Sequence, residues 1–284
     1  MRLKLQSAVA LVVMVCLLSL TGCFRGQEDD APAQGKLSGR LIVSGSSTIA
    51  PLAGEIAKQF ELLHPGVRID VQSGGSSRGI ADARRGTADI GMASRALKPA
   101  ESHLTAHTIA RDGIALIVHR DNPVTMLSDA QVVGIYNDGI SNWSQVGGNN
   151  APITVVNKAE GRSTLELFLG HFKLAADAVR PSIVIGDNLQ GILTVTGDPN
   201  AIGYVSIGAA EYEASAGRPI KLLPMGGIEA SVANVRNGSF PLSRPLNLVT
   251  HGPVSPLASA FIDYASSSAV NDVVEAQYLV PVSR

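Results

Sequence analysis

Three stretches of this chain share one design: an apolar run, a loop of Gly, Ser and Thr, then apolar residues at helical spacing. Leu41-Ile42-Val43 leads into Ser44-Gly45-Ser46-Ser47-Thr48, after which Leu52, Ile56, Phe60 and Leu63 stand at steps of four, four and three. Pro65-Gly66 ends that helix. Val67, Ile69 and Val71 alternate as a strand does, and Gly74-Gly75-Ser76-Ser77 then opens a helix expected over Arg78 to Arg85, closed by Gly86. Ile153 to Val156 runs into Glu160-Gly161-Arg162-Ser163-Thr164 and a helix with Leu165, Phe168, Leu169 and Phe172 on one face. A period that switches repeatedly from two residues to 3.6 predicts an α/β protein with parallel strands. Further strands are expected at 89–93, 114–118, 201–205, 220–223 and 246–249, and helices near 258–266 and 270–278.

The loops carry the chemistry. A helix N-terminus presents unpaired N–H groups and about half a positive charge. Hydroxyls add donors that rotate to suit a ligand, and glycine lets an anion reach the backbone. One Ser/Thr-rich helix start is usually only an N-cap. Three of them (Ser44–Thr48, Gly74–Ser77 and Gly161–Thr164), each after a strand, point to convergence on one anion. Lys158 and Arg162 flank the third loop, and Arg78 and Arg95 lie by the second. Arg95 ends Gly91-Met92-Ala93-Ser94-Arg95, at the strand end where α/β sheets place ligands. Arg84 and Arg85 are assigned to the surface.

Composition narrows the classes. Lys+Arg 23 against Asp+Glu 24 in 284 residues gives a net charge of −1, which argues against a nucleic-acid binder. With 45% hydrophobic and 17% charged residues the chain is not disordered, and with 4% aromatics its core is aliphatic. The N-terminus reads as a processing segment: Arg2 and Lys4, an apolar stretch from Leu5 to Leu20, then Leu20-Thr21-Gly22-Cys23, which resembles a bacterial lipobox. This predicts a signal peptide over 1–22, a lipidated (palmitate-bearing) Cys23, and a flexible tether over 23–37. Cys16 would leave with the signal, so the mature chain has no disulfide and no cysteine ligand for a metal.

Other motifs are thin. Gly75-Ser76-Ser77-Arg78-Gly79 fits G-x-S-x-G, with Ser77 as nucleophile and His251 downstream, but no oxyanion segment precedes it. The chain has no G-x-x-x-x-G-K-[ST] and no G-x-G-x-x-G. His103 and His107 have i, i+4 spacing without a following Glu, and read as a solvated face. No metal and no cofactor is expected. Trp143 reads as a core or lobe-packing residue.

Five ordered motifs together resemble the substrate-binding proteins of bacterial phosphate ABC importers, the PstS-like family. They are Ser44-Gly45-Ser46-Ser47-Thr48-Ile49-Ala50-Pro51-Leu52, Gly74–Gly79 with Gly86–Arg95, Gly139-Ile140-Ser141-Asn142-Trp143, Ala201-Ile202-Gly203-Tyr204-Val205, and Phe240-Pro241-Leu242-Ser243-Arg244-Pro245-Leu246. The resemblance covers about residues 38 to 284. It implies a two-lobe periplasmic-binding-protein (type II) clamp, each lobe a mixed, mostly parallel sheet flanked by helices. Lobe 1 would take 38–118 plus 222–284, lobe 2 would take 119–221, and two crossing strands would form the hinge. The implied function is capture of inorganic phosphate and its delivery to a membrane permease, by a monomer tethered on the outer side of a membrane of the bacterial cell envelope. Another oxyanion, a phosphorylated ligand or a sensing role are the alternatives, with a serine hydrolase using Ser77 more remote.

Carried onto this sequence, the implied phosphate ligands are Ser47, Thr48, Ile49, Ser76, Arg95, Arg162, Ser163 and Thr164. The chain departs from the family at two places. It reads Gly161-Arg162-Ser163-Thr164 where many members have Gly-Ser-Gly-Thr, and Lys158 takes the place of an arginine. Arg95 stands where one branch has Asp and another Arg. Phosphate near neutral pH carries a proton and needs an acceptor, which arginine cannot be. Asp89, a hydroxyl or a carbonyl remain as acceptors.

Overall fold

The computed structural model describes residues 37–282. The expected signal peptide, the lipidation site at Cys23 and the tether up to residue 36 lie outside the described residues. Among the described residues, no helix is long and apolar enough to cross a membrane.

Strands and helices alternate from the start: β1 (Ser38–Gly45), α1 (Ala50–Leu63), β2 (Gly66–Ser73), α2 (Ser76–Arg85), β3 (Ile90–Ala93) and a long β4 (Leu104–His119). Then come α3 (Asp129–Tyr136), β5 (Thr154–Lys158), α4 (Ser163–Phe172), β6 (Ile183–Ile185), α5 (Asn188–Gly197), β7 (Ala201–Ser206) and α6 (Ile207–Ser215). The chain closes with β8 (Ile220–Leu222), α7 (Val232–Arg236), β9 (Ser243–His251), α8 (Pro256–Ala265), α9 (Asn271–Ala276) and β10 (Val280–Pro281). The sheet order is β2-β1-β3-β9-β4-β7-β5-β6, with β8 and β10 also pairing β4. Parallel pairs (β1 with β2 and β3, β5 with β6 and β7) stand towards the two ends. Antiparallel pairs gather round β4 and β9 in the middle.

This makes the two-lobe α/β clamp. β4 pairs β9 over Leu104 to Gly113, then turns to β7 from Ile114 onward, so one strand serves both lobes. One core joins Leu41, Val43, Leu52, Ile56 and Phe60 to Leu246, Leu248 and Phe261. A second joins Ile114, Leu116, Tyr136, Trp143, Phe168 and Tyr204, and takes in Leu223, Phe240 and Leu242. Leu37–Arg284 forms one compact unit that holds both cores.

Some local expectations change. β4 runs ten residues further back than Ile114, because Leu104 to Gly113 includes His107, Thr108, Arg111 and Asp112, which hide the alternation. The spacing of His103 and His107 is not helical: His107 lies in β4, its ring nitrogen facing Thr250, and His103 meets His251 edge-on at 5.5 Å. Leu63 ends α1 at 61% exposure, so the inward face of that helix stops at Phe60. Trp143 is buried, and its indole N–H donates to the Asn200 carbonyl at 2.9 Å.

Candidate functional site

The site is built where three loops meet the crossing of β4 and β9. In the first loop Ser46 holds the turn that leads into α1. Its Oγ lies 3.2 Å from Thr48 N and 3.4 Å from Ile49 N, and its carbonyl accepts from Ile49 N and Ala50 N. The Thr48 hydroxyl takes no part in this turn and faces Arg244 and Asn188 instead. The Ile49 amide is engaged within the loop, and its side chain is in the core. Ser47 is half-buried and lines a groove of about 960 Å³ that runs up to Thr48 and Asn188.

The second loop depends on glycine. A Cβ on Gly45 would sit 2.4 Å from the Met92 carbonyl oxygen, and one on Gly79 would sit 2.6 Å from that of Ser44. Bare backbone at both positions lets α2 lie directly on β1 and β3. This brings Ser76 to the end of β3, where its Oγ accepts from Ser94 N at 3.1 Å. In the third loop α4 starts at Ser163 with no side-chain cap, so the first-turn hydroxyls are not consumed. Ser163 Oγ is buried and has no hydrogen-bond partner among the described residues.

Arg244 joins these loops. It lies on β9 directly opposite Asp112 of β4, and both are at least 97% buried. Its Nε and Nη2 donate to Asp112 Oδ2 at 3.1 and 2.8 Å. Nη2 also reaches Thr48 Oγ1 at 3.2 Å, and Nη1 reaches Thr164 Oγ1 at 3.0 Å and Ser94 Oγ at 3.4 Å. One planar guanidinium thus collects hydroxyls from all three loop regions. Asp112 Oδ1 accepts from Gly208 N, so its carboxylate is fully engaged.

Lys158, at the end of β5, is the second cation. It is 3% exposed, and its Nζ donates to the Asp187 carbonyl at 2.6 Å and to Asn188 Oδ1 at 3.3 Å. Among the described residues it makes no salt bridge. Burial pulls its amine down to about 7, a shift eased by Asp187 and deepened by Arg244 and Arg162. Asn188 also donates to Thr48 Oγ1 at 3.2 Å, which links the α5 start to the first loop.

The structure therefore brings together Thr48, Ser76, Ser163 and Thr164. Arg162 is half-buried and lies against Gly75 and Gly186, where added Cβ atoms would come within 3.0 Å of its Cδ and 3.3 Å of its Nη2. Arg95 is committed elsewhere: Nη1 and Nη2 hold Glu101 at 2.8 and 2.9 Å, and Nε lies 3.2 Å from Glu166. Burial opposes the Arg95 charge, but Glu101 and Glu166 outweigh it and raise its pKa. Arg95 in turn holds Glu101 below the usual carboxylate range. Asp89 is exposed at the far end of β3, accepting from Ile42 N, and is no acceptor for a bound ligand. Arg78 is exposed and pairs with Asp82. Ser77 Oγ donates to Glu166 Oε1 rather than to a histidine, and His251 sits on His103, so the elements of a nucleophile elbow do not meet.

Sequence spacing does not single out Arg244, Asp112, Ser94 or Asn188. Arg244 was visible inside Phe240–Leu246, and only the strand crossing reveals that it faces the loops.

Sequence and structure comparisons agree on the family. The model of the PBP superfamily domain matches residues 30–269. The chain belongs to the PBP superfamily. Within it the chain is PstS-like. It is 29% identical over 266 residues to the phosphate-binding protein PstS of Bacillus subtilis (strain 168), covering 91% of this chain and 86% of that one. Its fold matches a Clostridium perfringens substrate-binding protein solved with bound phosphate at TM-score 0.80 and 34% identity, over 86% of this PstS-like chain and all of the other (100%). It also matches an ABC-type phosphate transport receptor from Vibrio cholerae at TM-score 0.71 and 28% identity, over 85% and 100% of the two chains.

Proposed function

We propose that this PstS-like chain is a lipid-anchored, extracytoplasmic binding protein that captures inorganic phosphate and passes it to an ABC importer in the membrane. The observation that carries the reading is a buried cation that makes no salt bridge among the described residues and feels Asp187 only at a distance. Lys158 has only neutral acceptors, and beside it converge Arg244 and the hydroxyls of Thr48, Thr164 and Ser163, the last with no partner of its own. A desolvated ammonium is costly. A tetrahedral oxyanion placed there supplies a direct counter-charge and accepts from each loop. No bond is made or broken: these donors replace the water shell of the anion.

Such an anion touches both lobes, taken as 38–118 plus 222–284 and 119–221, with β4 and β9 as the hinge. Binding then favours the closed arrangement, and the closed form is what a permease recognises. The proton of phosphate is accepted by a hydroxyl oxygen, since serine and threonine accept as well as donate. Of the carboxylates at the site, Asp112 is taken by Arg244 and Gly208, and Asp187 Oδ1 caps α5 by accepting from Gln190 N. This favours a second reading, in which sulfate-like oxyanions also bind.

Calorimetric titration of residues 24–284, stripped of carried ligand by unfolding and dialysis, tests both. Phosphate should bind one-to-one, with arsenate competing. Heat from sulfate of similar strength would move the assignment to oxyanions in general. No phosphate heat from folded, stripped protein would refute the proposal.

A further inference from the structure

We propose that Glu166 fastens the two lobes together, with Arg95 and Lys98 as its anchors across the cleft; the inference rests on the clamp reading above. Glu166 lies on α4, one turn beyond the hydroxyls of Ser163 and Thr164. Its Oε1 accepts from Ser77 Oγ at 3.2 Å, and its Oε2 lies 2.6 Å from Lys98 Nζ and 3.2 Å from Arg95 Nε. All three partners sit on the opposite lobe, on α2 and just after β3. Beside them Ser77 N donates to the Gly161 carbonyl at 3.2 Å, a second bond across the same gap. None of these partners is among the hydroxyls that gather round Arg244, so the fastening is separate from the anion's own ligands.

The anchor is built in advance. Arg95 is pinned by two bonds to Glu101, and its carbonyl accepts from Asn247 Nδ2 at 2.8 Å. The guanidinium edge left over is Nε, which is buried and, among the described residues, has no hydrogen bond; Glu166 Oε2, also without one there, is the ion partner beside it. A donor fixed in one lobe and waiting for a carboxylate from the other costs little ordering when the lobes meet. Opening does not strand a charge, because Arg95 keeps Glu101 and the Lys98 side chain is 55% exposed. The pair therefore acts on the open–closed balance rather than on the stability of either lobe.

Glu166→Gln tests this cleanly. It keeps the shape, removes the charge and leaves Arg95 paired with Glu101. Residues 24–284 contain no cysteine, so Lys58→Cys and Ser215→Cys, one on each lobe, take a dye pair that reports lobe separation. Glu166→Gln should widen the ligand-free separation. It should also speed phosphate release by about tenfold with little change in association, because contact losses fall mainly on dissociation. Release from the parent should quicken with salt, and from the variant much less. Lys98→Ala should give part of the effect and add less than its full share to Glu166→Gln. An unchanged melting temperature would set this apart from a structural role. Unchanged separation and unchanged release would overturn the proposal, and Lys98→Ala with the parent's salt dependence decides it if Glu166→Gln fails to fold. If the parent binds no phosphate, the functional reading falls, while the ligand-free separation still decides the fastening.

Discussion

Replacing Lys158 by Met should make the empty protein more stable and its anion binding weaker. The ammonium is desolvated, so its folded pKa falls from 10.5 to about 7. At 1.36 kcal/mol per unit this shift is a penalty of about 5 kcal/mol on the charged, folded form. The sign follows from linkage. The unfolded chain holds the proton more tightly, so the penalty is full below pH 7 and fades as pH rises towards the unfolded pKa. Met fills a similar volume but leaves the Asp187 carbonyl without its donor, and Asn188 Oδ1 retains only Ser206 N at 3.4 Å. Lost hydrogen bonds of this kind cost about 1–3 kcal/mol, so the net gain near pH 6.5 is about 2–4 kcal/mol. Urea unfolding of ligand-free parent and variant at pH 6.5 and 9.5 reads this directly. The advantage of the variant should shrink by about 3 kcal/mol between those two pH values. Phosphate affinity should fall about 10–100-fold in the variant, the cost of one charge-assisted bond. In the parent, binding at pH 8 should take up a proton, seen as heat that varies with the buffer. A stability difference that does not change with pH, together with unaltered affinity, would show that Lys158 is neither desolvated nor aimed at the anion.

Other outcomes follow from the same geometry. Thr48→Ala or Ser76→Ala should weaken phosphate binding by about 1–3 kcal/mol in titration calorimetry; unchanged affinity in both would sink the site. Arg244→Met leaves Asp112 buried and uncompensated, so urea unfolding should show a loss of about 3–5 kcal/mol along with abolished binding. Trp143→Phe removes the bond to the Asn200 carbonyl; it should cost about 1–2 kcal/mol of stability and leave phosphate affinity as it was.

The elements that position the loops were legible where periodicity is clean. Leu52, Ile56 and Phe60 mark the buried face of α1, and Ala201 to Val205 is a fully buried strand, as read. The first half of β4 was not legible, since a strand that crosses between lobes loses the alternation of a half-buried sheet. Nor were α5 and α6, whose Asp187 and Ser206 caps precede runs too mixed to show a stripe. Among the site residues, the three hydroxyl loops stood out because each is local: a glycine-rich turn and a helix start lie within five residues. Arg95 shows the opposite case. Its place in the motif suggests an anion, but Glu101 and Glu166 claim it through spacings of 6 and 71 residues.

Local spacing alone was enough to read an α/β chain, three Gly/Ser/Thr-rich helix starts and the PstS-like family. These properties rest on local spacing, which does not depend on how distant segments meet. Which cations lie at the candidate site depends on how distant segments pack. The tertiary structure placed Arg244 opposite Asp112 at the strand crossing, set Lys158 on the Asp187 carbonyl rather than in a salt bridge, and turned Arg95 towards Glu166. The role of a charge is set by what lies within a few ångströms of it, and here those neighbours come from segments up to 196 residues apart, as for Arg244 and Thr48.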